Sequence, residues 1–376
     1  MERRSPNPEA PVLPDHAGAC VSGIVGPLLD PSLDWPSFLP APARGAEQVV
    51  LLVLDGLGWN QLCDRTALAP TLAAMTGGPI TTVAPSTTAT ALTSITTGTA
   101  PGEHGVVGYR IAMDRSVLNV LRWSADGRDV RRTIPPDTVQ SIEPFLGQRP
   151  PVITRAEFAE SGFTRAHLDG TRLRGWRVVS SVVVEIADAL RRGESFVYAY
   201  YDGIDKVAHE YGLGAHYDAE VVAADALVAD VRAVLPPGAI LLVTSDHGQV
   251  DVGDDLVTPD PAVLSHVDLQ SGEGRFRWLH ARPGRARGLL EEASARHSDR
   301  AWVVSREQVV DEGWLGPRVT DEARGRLGDV ALVSRDTAAF VDPADGGHIR
   351  LVARHGALTA DEMYVPLLAA GGGGQD

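Results

Sequence analysis

Acidic residues follow three apolar runs of the sequence, and histidines stand close to two of them. Asp55 ends the run EQVVLLVLD, Asp205 follows SFVYAYYDGI, and Asp246 follows GAILLVTS. His209 lies four residues after Asp205, a spacing that puts both side chains on one face of a helix, and His247 directly follows Asp246. Hard carboxylates mixed with imidazoles suit Zn²⁺ or Mn²⁺ better than Ca²⁺. The spacing therefore predicts a metal-binding centre.

Two further residues fit the same pattern. His355 stands in RHGALTADEMYVP near the C-terminal end and, like His247, precedes a glycine. Asp202 also follows the second apolar run. Because aspartate is a common turn former after a strand, we expect Asp202 to support the centre from behind its ligands.

The segment VAPSTTATALTSITTG, from Val83 to Gly98, offers a nucleophile. Pro85 and Ser86 predict a turn, and residues 88–97 predict a helix that Gly98 ends. A threonine at a helix N-terminus meets free N–H groups and the positive end of the helix dipole, which favour an anionic oxygen or a phosphate. A hydroxyl is a poor nucleophile near neutral pH unless a base or a metal removes its proton. We therefore expect this segment to supply a hydroxyl nucleophile and the predicted metal centre to activate it.

These residues need a fold that brings them together. Apolar runs bounded by turn residues predict buried strands, at 47–58, 195–205, 238–248 and, more weakly, 329–341. Helical patterns lie between them, at 178–193 and 216–235. The alternation predicts an α/β fold, a three-layer sandwich with a mostly parallel central sheet. In such a sheet the carboxyl ends of the strands meet at one edge.

The remaining segments differ in composition from this core. Residues 1–45 are rich in proline and predict a segment that wraps the body. The main domain is expected over 46–370, with less periodic insertions near the active site at about 114–174 and 251–321. Residues 371–376, GGGGQD, predict a flexible tail.

Composition excludes several classes of protein. The chain has 376 residues, with 34 Lys+Arg against 49 Asp+Glu and a net charge of −15. Such an acidic chain is a poor match for a nucleic-acid duplex or an anionic membrane surface, although a bound metal can reverse the charge locally for a small phosphorylated substrate. The two cysteines, Cys20 and Cys63, predict free thiols. The first residues lack the apolar region of a signal peptide, so the expected location is cytoplasmic.

The motifs resemble those of the alkaline phosphatase superfamily and, within it, the type I phosphodiesterase/nucleotide pyrophosphatase family. The family pattern P-x-x-T, followed by T-G-x-x-P-x-x-H-G, corresponds here to Pro85, Thr88, Thr97, Gly98, Pro101, His104 and Gly105. The resemblance implies that Thr88 is the nucleophile and transiently carries the phosphoryl group. Thr87 and Thr90 are the alternatives in register.

The resemblance also assigns the metal ligands. It implies two zinc sites, with manganese as an alternative metal, formed by Asp55, Thr88, Asp246 and His247 and by Asp205, His209 and His355. His104 is interpreted as structural. The implied activity is the hydrolysis of phosphodiester or pyrophosphate bonds in a small phosphorylated substrate such as a nucleotide.

One position departs from the family pattern. Nucleotide pyrophosphatases usually carry an asparagine three residues after the nucleophile, and this chain has Ala91. A donor to the developing charge contributes roughly 3–4 kcal/mol, so either Thr90 replaces it or the substrate binds differently. A phosphomonoesterase and a phosphonate hydrolase therefore stay open, as does a non-catalytic phospholigand-binding protein. Trp123 and Trp176 either stack a base or fill the core.

Overall fold

The computed structural model describes residues 1–4, 10–114, 116–345 and 351–372. Its strands, in chain order, are β1 Gln48–Leu54, β2 Thr76–Thr81, β3 Arg110–Met113, β4 Ser116–Asn119, β5 Ser124–Ala125, β6 Arg128–Asp129, β7 Pro151–Arg155, β8 Arg172–Trp176, β9 Phe196–Tyr201, β10 Ala239–Thr244, β11 Val250–Asp251, β12 Leu256–Val257, β13 Val267–Glu273, β14 Phe276–Ala281, β15 Ala301–Ser305, β16 Val330–Ser334, β17 Ala339–Phe340, β18 Ala353–Arg354 and β19 Tyr364–Gly371.

The α-helices are α1 Val25–Leu29, α2 Trp59–Cys63, α3 Pro70–Ala73, α4 Thr88–Thr97, α5 Pro101–His104, α6 Pro136–Val139, α7 Gly162–Leu168, α8 Ser180–Arg191, α9 Gly203–Tyr211, α10 Ala215–Ala233, α11 Pro261–Leu264, α12 Ala286–His297, α13 Arg306–Asp311, α14 Asp321–Gly325 and α15 Ala360–Met363. Short 3₁₀ helices cover Val21–Gly23, Ala41–Ala43, Pro144–Gly147 and Ala156–Phe158. Among the described helices, none has the length and apolar character that crossing a membrane requires.

A seven-stranded sheet forms the centre of the fold, in the order β2-β19-β10-β1-β9-β7-β8. The strand β1 pairs in parallel with both β10 and β9, and β7 pairs in parallel with β9 and β8. The strand β19 runs antiparallel to its neighbours β10 and β2. The predicted mostly parallel sheet is confirmed, and its centre is the apolar run QVVLLVL of β1.

Helices cover both faces of this sheet, which confirms the three-layer sandwich. Alternate side chains of a strand point to opposite faces. Val49, Leu51 and Val53 join the core cluster that includes the buried side of α4. Val50, Leu52 and Leu54 join the cluster on the opposite face, with α8, α9 and α10. Because β1 is apolar on both faces, it lies in the middle layer.

The expectation of a further parallel strand within residues 329–341 is wrong. The strand β16 lies in a separate four-stranded antiparallel sheet, of order β13-β14-β16-β15, which we call the side sheet. Val330 and Leu332 pack into one core cluster, while Ala331 and Val333 pack into another. A strand buried on both faces has the same continuous apolar pattern in either kind of sheet, so the sequence could not separate the two.

Both predicted insertions also differ from the structure. The strand β7 lies within residues 114–174 and β8 begins there and ends at Trp176; both belong to the central sheet, whereas β3–β6 form a small sheet of their own. Charged side chains interrupt β8, RLRGW, because it lies at the edge of the sheet. The side sheet, in turn, continues beyond residue 321 to Ser334.

The two ends of the chain pack against the main body where they are described. Thr81 N–H donates to the Ala19 carbonyl and Val12 N–H to the Leu358 carbonyl, both at 2.8 Å. Gly371, predicted as the start of the tail, is the last residue of β19 and pairs with Ile240. Residues 373–376 of the predicted tail lie outside the described residues.

The packing confirms the prediction of free thiols and decides between the two alternatives for Trp123 and Trp176. Cys20 and Cys63 are free thiols. The Trp123 and Trp176 side chains are buried, and their indole N–H groups donate to the carbonyls of Ile134 and Tyr200. Both tryptophans therefore fill core and present no open face for stacking a base.

A buried ion pair ties the side sheet to the C-terminal part of the chain. The Arg275 guanidinium donates to both carboxylate oxygens of Glu362, at 2.7 and 2.8 Å, and both side chains are fully buried. Arg275 also donates to the carbonyls of Asp336 and Ala338. Glu362 accepts from Ala357 N–H, so the pair fixes the segment that follows His355.

We predict that Arg275→Met lowers the free energy of unfolding by about 3–5 kcal/mol, because it leaves the Glu362 carboxylate buried without its charged partner. Urea unfolding followed by circular dichroism measures the loss. The matched control is Arg287→Met, which removes an exposed pair with Glu291 and should leave stability unchanged. Equal stability of the two variants would contradict the prediction.

Candidate active site and metal centre

The predicted acidic residues meet at the carboxyl edge of the central sheet. Asp55 follows β1, Asp202 follows β9, and Asp246 lies two residues after β10. These three strands are parallel neighbours with β1 in the middle. Their ends therefore coincide, and the chain turns there into loops and helices that carry polar side chains.

Four of the predicted residues form what we call the inner group: Asp55, Thr88, Asp246 and His247. The Nε2 atom of His247 lies 3.4 Å from Asp55 Oδ1 and 3.5 Å from Asp246 Oδ2. The Thr88 hydroxyl lies 3.0 Å from the same nitrogen. All four side chains are buried.

Each carboxylate of the inner group has one oxygen with a hydrogen-bond donor and one without. The Tyr200 phenol donates to Asp55 Oδ2. Asp246 Oδ1 accepts from the backbone N–H groups of Gly56 and His247, each at 3.1 Å. In contrast, Asp55 Oδ1 and Asp246 Oδ2 are buried and have no hydrogen-bond partner among the described residues. Buried oxygens are rarely left unsatisfied, and these two, facing an imidazole nitrogen, fit a metal cation.

The three remaining ligand candidates form the outer group: Asp205, His209 and His355. Asp205 and His209 lie one turn apart on α9, as their spacing predicts, with His209 Nε2 3.3 Å from Asp205 Oδ1. His355 Nε2 lies 3.8 Å from the same oxygen. These side chains are 14, 22 and 10% exposed in the order named. The outer group therefore faces the opening of the site.

Backbone carbonyls fix the orientation of all three histidines. The Nδ1–H groups of His209, His247 and His355 donate to the carbonyls of Ala353, Gly248 and Ser86, at 2.8, 3.1 and 3.0 Å. A carbonyl oxygen can only accept, so each Nδ1 carries a proton, and Nε2 is the ring atom that a neutral imidazole would offer to a metal. This arrangement is the usual support for metal-binding histidines.

The inner and outer groups adjoin. The rings of His247 and His355 stack with their centroids 3.5 Å apart. Ligand atoms of Asp55, Asp205 and His247 all lie within 4.8 Å of one another, as do those of Asp205, His209 and His355. Residues of the two groups could thus hold two cations side by side.

Burial and neighbouring charges disfavour the ionised state of three groups in this centre, namely Asp55, Asp246 and His355. Burial raises the pKa of Asp55 well above its ordinary value, and the charges of Asp246 and Asp205 add to the rise. Burial also raises the pKa of Asp246. Burial, together with the neighbouring His247 and His209, lowers the pKa of His355 well below that of a free imidazole. Bound cations would reverse the effect on the two carboxylates, because they favour the ionised form, and would add to the effect on His355, because they favour the neutral imidazole.

The nucleophile candidate lies at the start of α4. Thr87 is the extended residue before the helix, with φ −134° and ψ 146°, and Thr88 is its first residue. The helix ends at Gly98, whose φ of +69° is the left-handed conformation that glycine adopts readily. In the neutral His247 ring with its proton on Nδ1, Nε2 would accept a hydrogen bond from the Thr88 hydroxyl. Among the three threonines in register, the contact with the inner group favours Thr88.

The loop before α4 is held against the outer group. Ser86 N–H donates to the Gly356 carbonyl at 3.2 Å, and the Ser86 hydroxyl donates to the Ala357 carbonyl at 2.6 Å. The Ser86 carbonyl accepts from His355, as described above. The nucleophile and a ligand from the distant C-terminal part of the chain are therefore fixed to each other.

Ala91 stands where the family pattern has an asparagine, and its side chain points into the core. The Ala91 side chain is fully buried in the core cluster beneath α4. The hydroxyl of Thr90 is also buried, with no hydrogen-bond partner among the described residues. Position 91 thus packs against the core, and the Thr90 hydroxyl stays the candidate for the missing donor.

Asp202 lies apart from both groups. Arg155 Nε lies 2.7 Å from each of its carboxylate oxygens, and the Lys206 ammonium lies 2.6 Å from Oδ2. Asp202 therefore forms ion pairs with two basic side chains, Arg155 and Lys206, beside the centre.

Sequence reasoning missed two residues that support the ligands. Tyr200 donates to Asp55, and the Gln249 amide donates to Asp205 Oδ1 at 2.6 Å. Tyr200 lies within an apolar strand, where a tyrosine is expected to be part of the hydrophobic core. A buried phenol usually has a hydrogen-bond partner, and this rule could have marked Tyr200 as a polar contact, although the sequence does not say with which residue.

The chain was compared with known families and proteins. Residues 49–358 match the family model described as type I phosphodiesterase / nucleotide pyrophosphatase. No curated protein matches the chain in sequence.

Similar folds occur in solved structures. Murine ectonucleotide pyrophosphatase / phosphodiesterase 5, an inactive threonine-to-alanine variant in complex with AMP, matches with a TM-score of 0.65 at 14% identity, over 86% of this chain and 88% of that chain. The human protein of the same name matches with a TM-score of 0.65 at 15% identity, over 86 and 88%. Phosphonoacetate hydrolase from Sinorhizobium meliloti 1021, in complex with phosphonoformate, matches with a TM-score of 0.58 at 18% identity, over 86 and 89%. At these identities the likeness shows the fold.

His104, which the sequence marks as structural, braces the loop after α5. Its Nδ1 accepts from Val106 N–H at 3.1 Å, and its Nε2 lies 2.8 Å from the Ser94 hydroxyl. Burial, assisted by the charge of Arg326, lowers the pKa of His104 to about 3.

We therefore predict that His104 makes the protein acid-sensitive. Unfolding restores a pKa near the free value of 6.5, so the unfolded chain binds a proton that the folded chain refuses between pH 6.5 and about 3. Stability from this group is complete above pH 6.5 and falls by about 1.4 kcal/mol per pH unit below it. Urea unfolding at several pH values should show a shallower decline for His104→Asn, and an unchanged slope would refute the assignment.

Proposed function

Since this chain belongs to the type I phosphodiesterase / nucleotide pyrophosphatase family, we propose that it hydrolyses phosphodiester or pyrophosphate bonds through a phosphothreonine intermediate on Thr88. Membership supports a phosphoric ester hydrolase, and the finer proposal rests on one observation. The Thr88 hydroxyl, at the start of α4, lies 3.0 Å from His247 Nε2 of the inner group, beside the outer group.

Two divalent cations would be held by the chain's own ligands. Asp55, Asp246 and His247, with Thr88, would hold the inner cation, and the outer group would hold the second. When bound, such cations supply Lewis-acid chemistry that stabilises negative charge on oxygen near neutral pH. The mixture of carboxylates and imidazoles favours zinc, with manganese as the alternative.

In the proposed reaction the phosphoryl group is transferred twice, first to Thr88 and then to water. Thr88 Oγ attacks phosphorus, which forms the Thr88 O–P bond and breaks the bond to the leaving group, and the proton of the Thr88 hydroxyl ends on the leaving oxygen or in solvent. Water then attacks the same phosphorus, which releases phosphate or a phosphomonoester and restores the Thr88 hydroxyl. The free N–H groups at the start of α4 favour the phosphoryl oxygens near Thr88 throughout.

The structural neighbours support this substrate class. The murine neighbour was solved with AMP as an inactive threonine-to-alanine variant, in agreement with a threonine nucleophile and a nucleotide substrate. We propose a small phosphorylated substrate for this chain, with nucleotide diesters first.

A phosphonate hydrolase is the second candidate, and two observations favour it. Ala91 removes the amide donor that nucleotide pyrophosphatases use, and phosphonoacetate hydrolase shares the fold. Both candidates use the same centre and nucleophile, so they differ only in the bond that is broken.

We predict that Thr88→Ala lowers kcat/KM for bis-p-nitrophenyl phosphate by roughly 10³-fold or more, because it removes the attacking oxygen. The assay uses zinc-reconstituted protein. Thr88→Ser should keep part of the activity, since it retains a hydroxyl. Thr87→Ala and Thr90→Ala are the controls for the register. Wild-type rates in Thr88→Ala, with loss in either control variant, would move the nucleophile to another threonine.

A substrate comparison separates the candidate activities. We expect bis-p-nitrophenyl phosphate and p-nitrophenyl thymidine monophosphate to be cleaved faster than p-nitrophenyl phosphate and phosphonoacetate. Treatment with a chelator should abolish every rate, and added zinc should restore it. Faster cleavage of the monoester would make the protein a phosphatase, and release of phosphate from phosphonoacetate alone would make it a phosphonate hydrolase.

A further inference from the structure

One buried phenol contacts the inner group from outside its ligand set. Tyr200 lies near the end of β9, is 7% exposed, and donates its hydroxyl hydrogen to Asp55 Oδ2. The residue two positions earlier, Tyr198, points to the same face of the strand and is 1% exposed. The Tyr198 hydroxyl has no hydrogen-bond partner among the described residues. The same strand thus carries one tyrosine that contacts a ligand and one that does not.

The Tyr200 contact decides which oxygen of Asp55 faces the centre. Asp55 Oδ1 lies 3.4 Å from His247 Nε2 and lacks a partner, whereas Oδ2 accepts the phenol. Without this donor, the carboxylate could turn about its last bond, and neither oxygen would be held in a fixed direction toward the centre. The hydrogen bond therefore holds Asp55 ready to offer a single oxygen in a fixed direction.

We infer that Tyr200 is a positioning residue for the inner metal site, where it fixes the Asp55 carboxylate and so raises the affinity of that site for a divalent cation. The inference rests on the proposed function, because it requires the metal centre. Groups that orient metal ligands commonly contribute a factor of about 10 to 100 in metal affinity.

The structure also makes this role selective. The outer group has a donor of its own, the Gln249 amide on Asp205 Oδ1. The outer histidines are fixed by the Ala353 and Ser86 carbonyls. None of these contacts involves Tyr200, so loss of its hydroxyl should weaken the inner site and spare the outer one.

The test measures zinc binding by the full chain in competition with a chelating dye. Wild-type protein is titrated first to count its sites. His209→Ala, which disables the outer group, then serves as the parent for two further substitutions, Tyr200→Phe and Tyr198→Phe. Each substitution removes one hydroxyl from β9 and keeps the aromatic ring.

We expect Tyr200→Phe to raise the Kd for zinc of the remaining site about 10- to 100-fold, and Tyr198→Phe to leave it unchanged. An unchanged Kd in Tyr200→Phe would overturn the inference, as would an equal rise in both variants. The zinc-induced rise in Tm makes the same comparison if a variant is destabilised without metal.

The inference and the proposed function fail in different ways. If wild-type protein binds no zinc, the proposed metal centre is wrong and the role of Tyr200 falls with it. Suppose instead that wild-type protein binds two zinc ions and that the remaining site binds zinc equally tightly with and without Tyr200→Phe in the His209→Ala parent. The metal centre then stands, and only the positioning role is refuted.

Discussion

Three aspartates, Asp55, Asp205 and Asp246, approach one another at a buried edge of the sheet, and this crowding of negative charge governs the site. Burial and mutual repulsion raise the pKa values of Asp55 and Asp246. Among the described residues, no lysine or arginine forms an ion pair with these carboxylates. Imidazoles and hydrogen-bond donors surround them instead, and bound cations would supply the positive charge.

The support of the ligands follows from that constraint. A cation is held well only if the ligand atoms already point toward it. Each histidine has its Nδ1 fixed by a backbone carbonyl, and Asp55 and Asp205 each accept from one side chain of the fold. Behind them, the Arg275–Glu362 pair and the bonds from Ser86 to Gly356 and Ala357 hold the C-terminal ligand segment against the nucleophile loop. The side sheet therefore contributes to the rigidity of the centre, although none of the proposed ligands lies in this sheet.

The fold tolerates wide change in sequence around this centre. Neighbours only 14–18% identical cover 86% of the chain. One residue that departs from the family pattern, Ala91, lies close to the proposed nucleophile and packs into the core beneath α4.

The sequence by itself determined the features that depend on local patterns. The apolar runs identified β1, β9 and β10 as buried strands, the glycine at 98 ended α4, and the four-residue spacing placed Asp205 and His209 on one face of α9. These predictions hold because strand burial, helix ends and helical periodicity depend on neighbouring residues in the chain. The family resemblance then joined His355 to ligands 100 residues or more away.

Only the tertiary structure decided what depends on distant partners. Residues 330–334 are apolar on both faces, and their place in the side sheet depends on which strands lie beside them. The charged pattern of β8 obscured an edge strand of the central sheet. Tyr200 and Tyr198 look alike in sequence, yet one phenol reaches Asp55 and the other reaches no partner among the described residues. The hydrogen bond requires the Tyr200 hydroxyl and an Asp55 carboxylate oxygen to lie close together, and they do so only after β1 and β9 have paired.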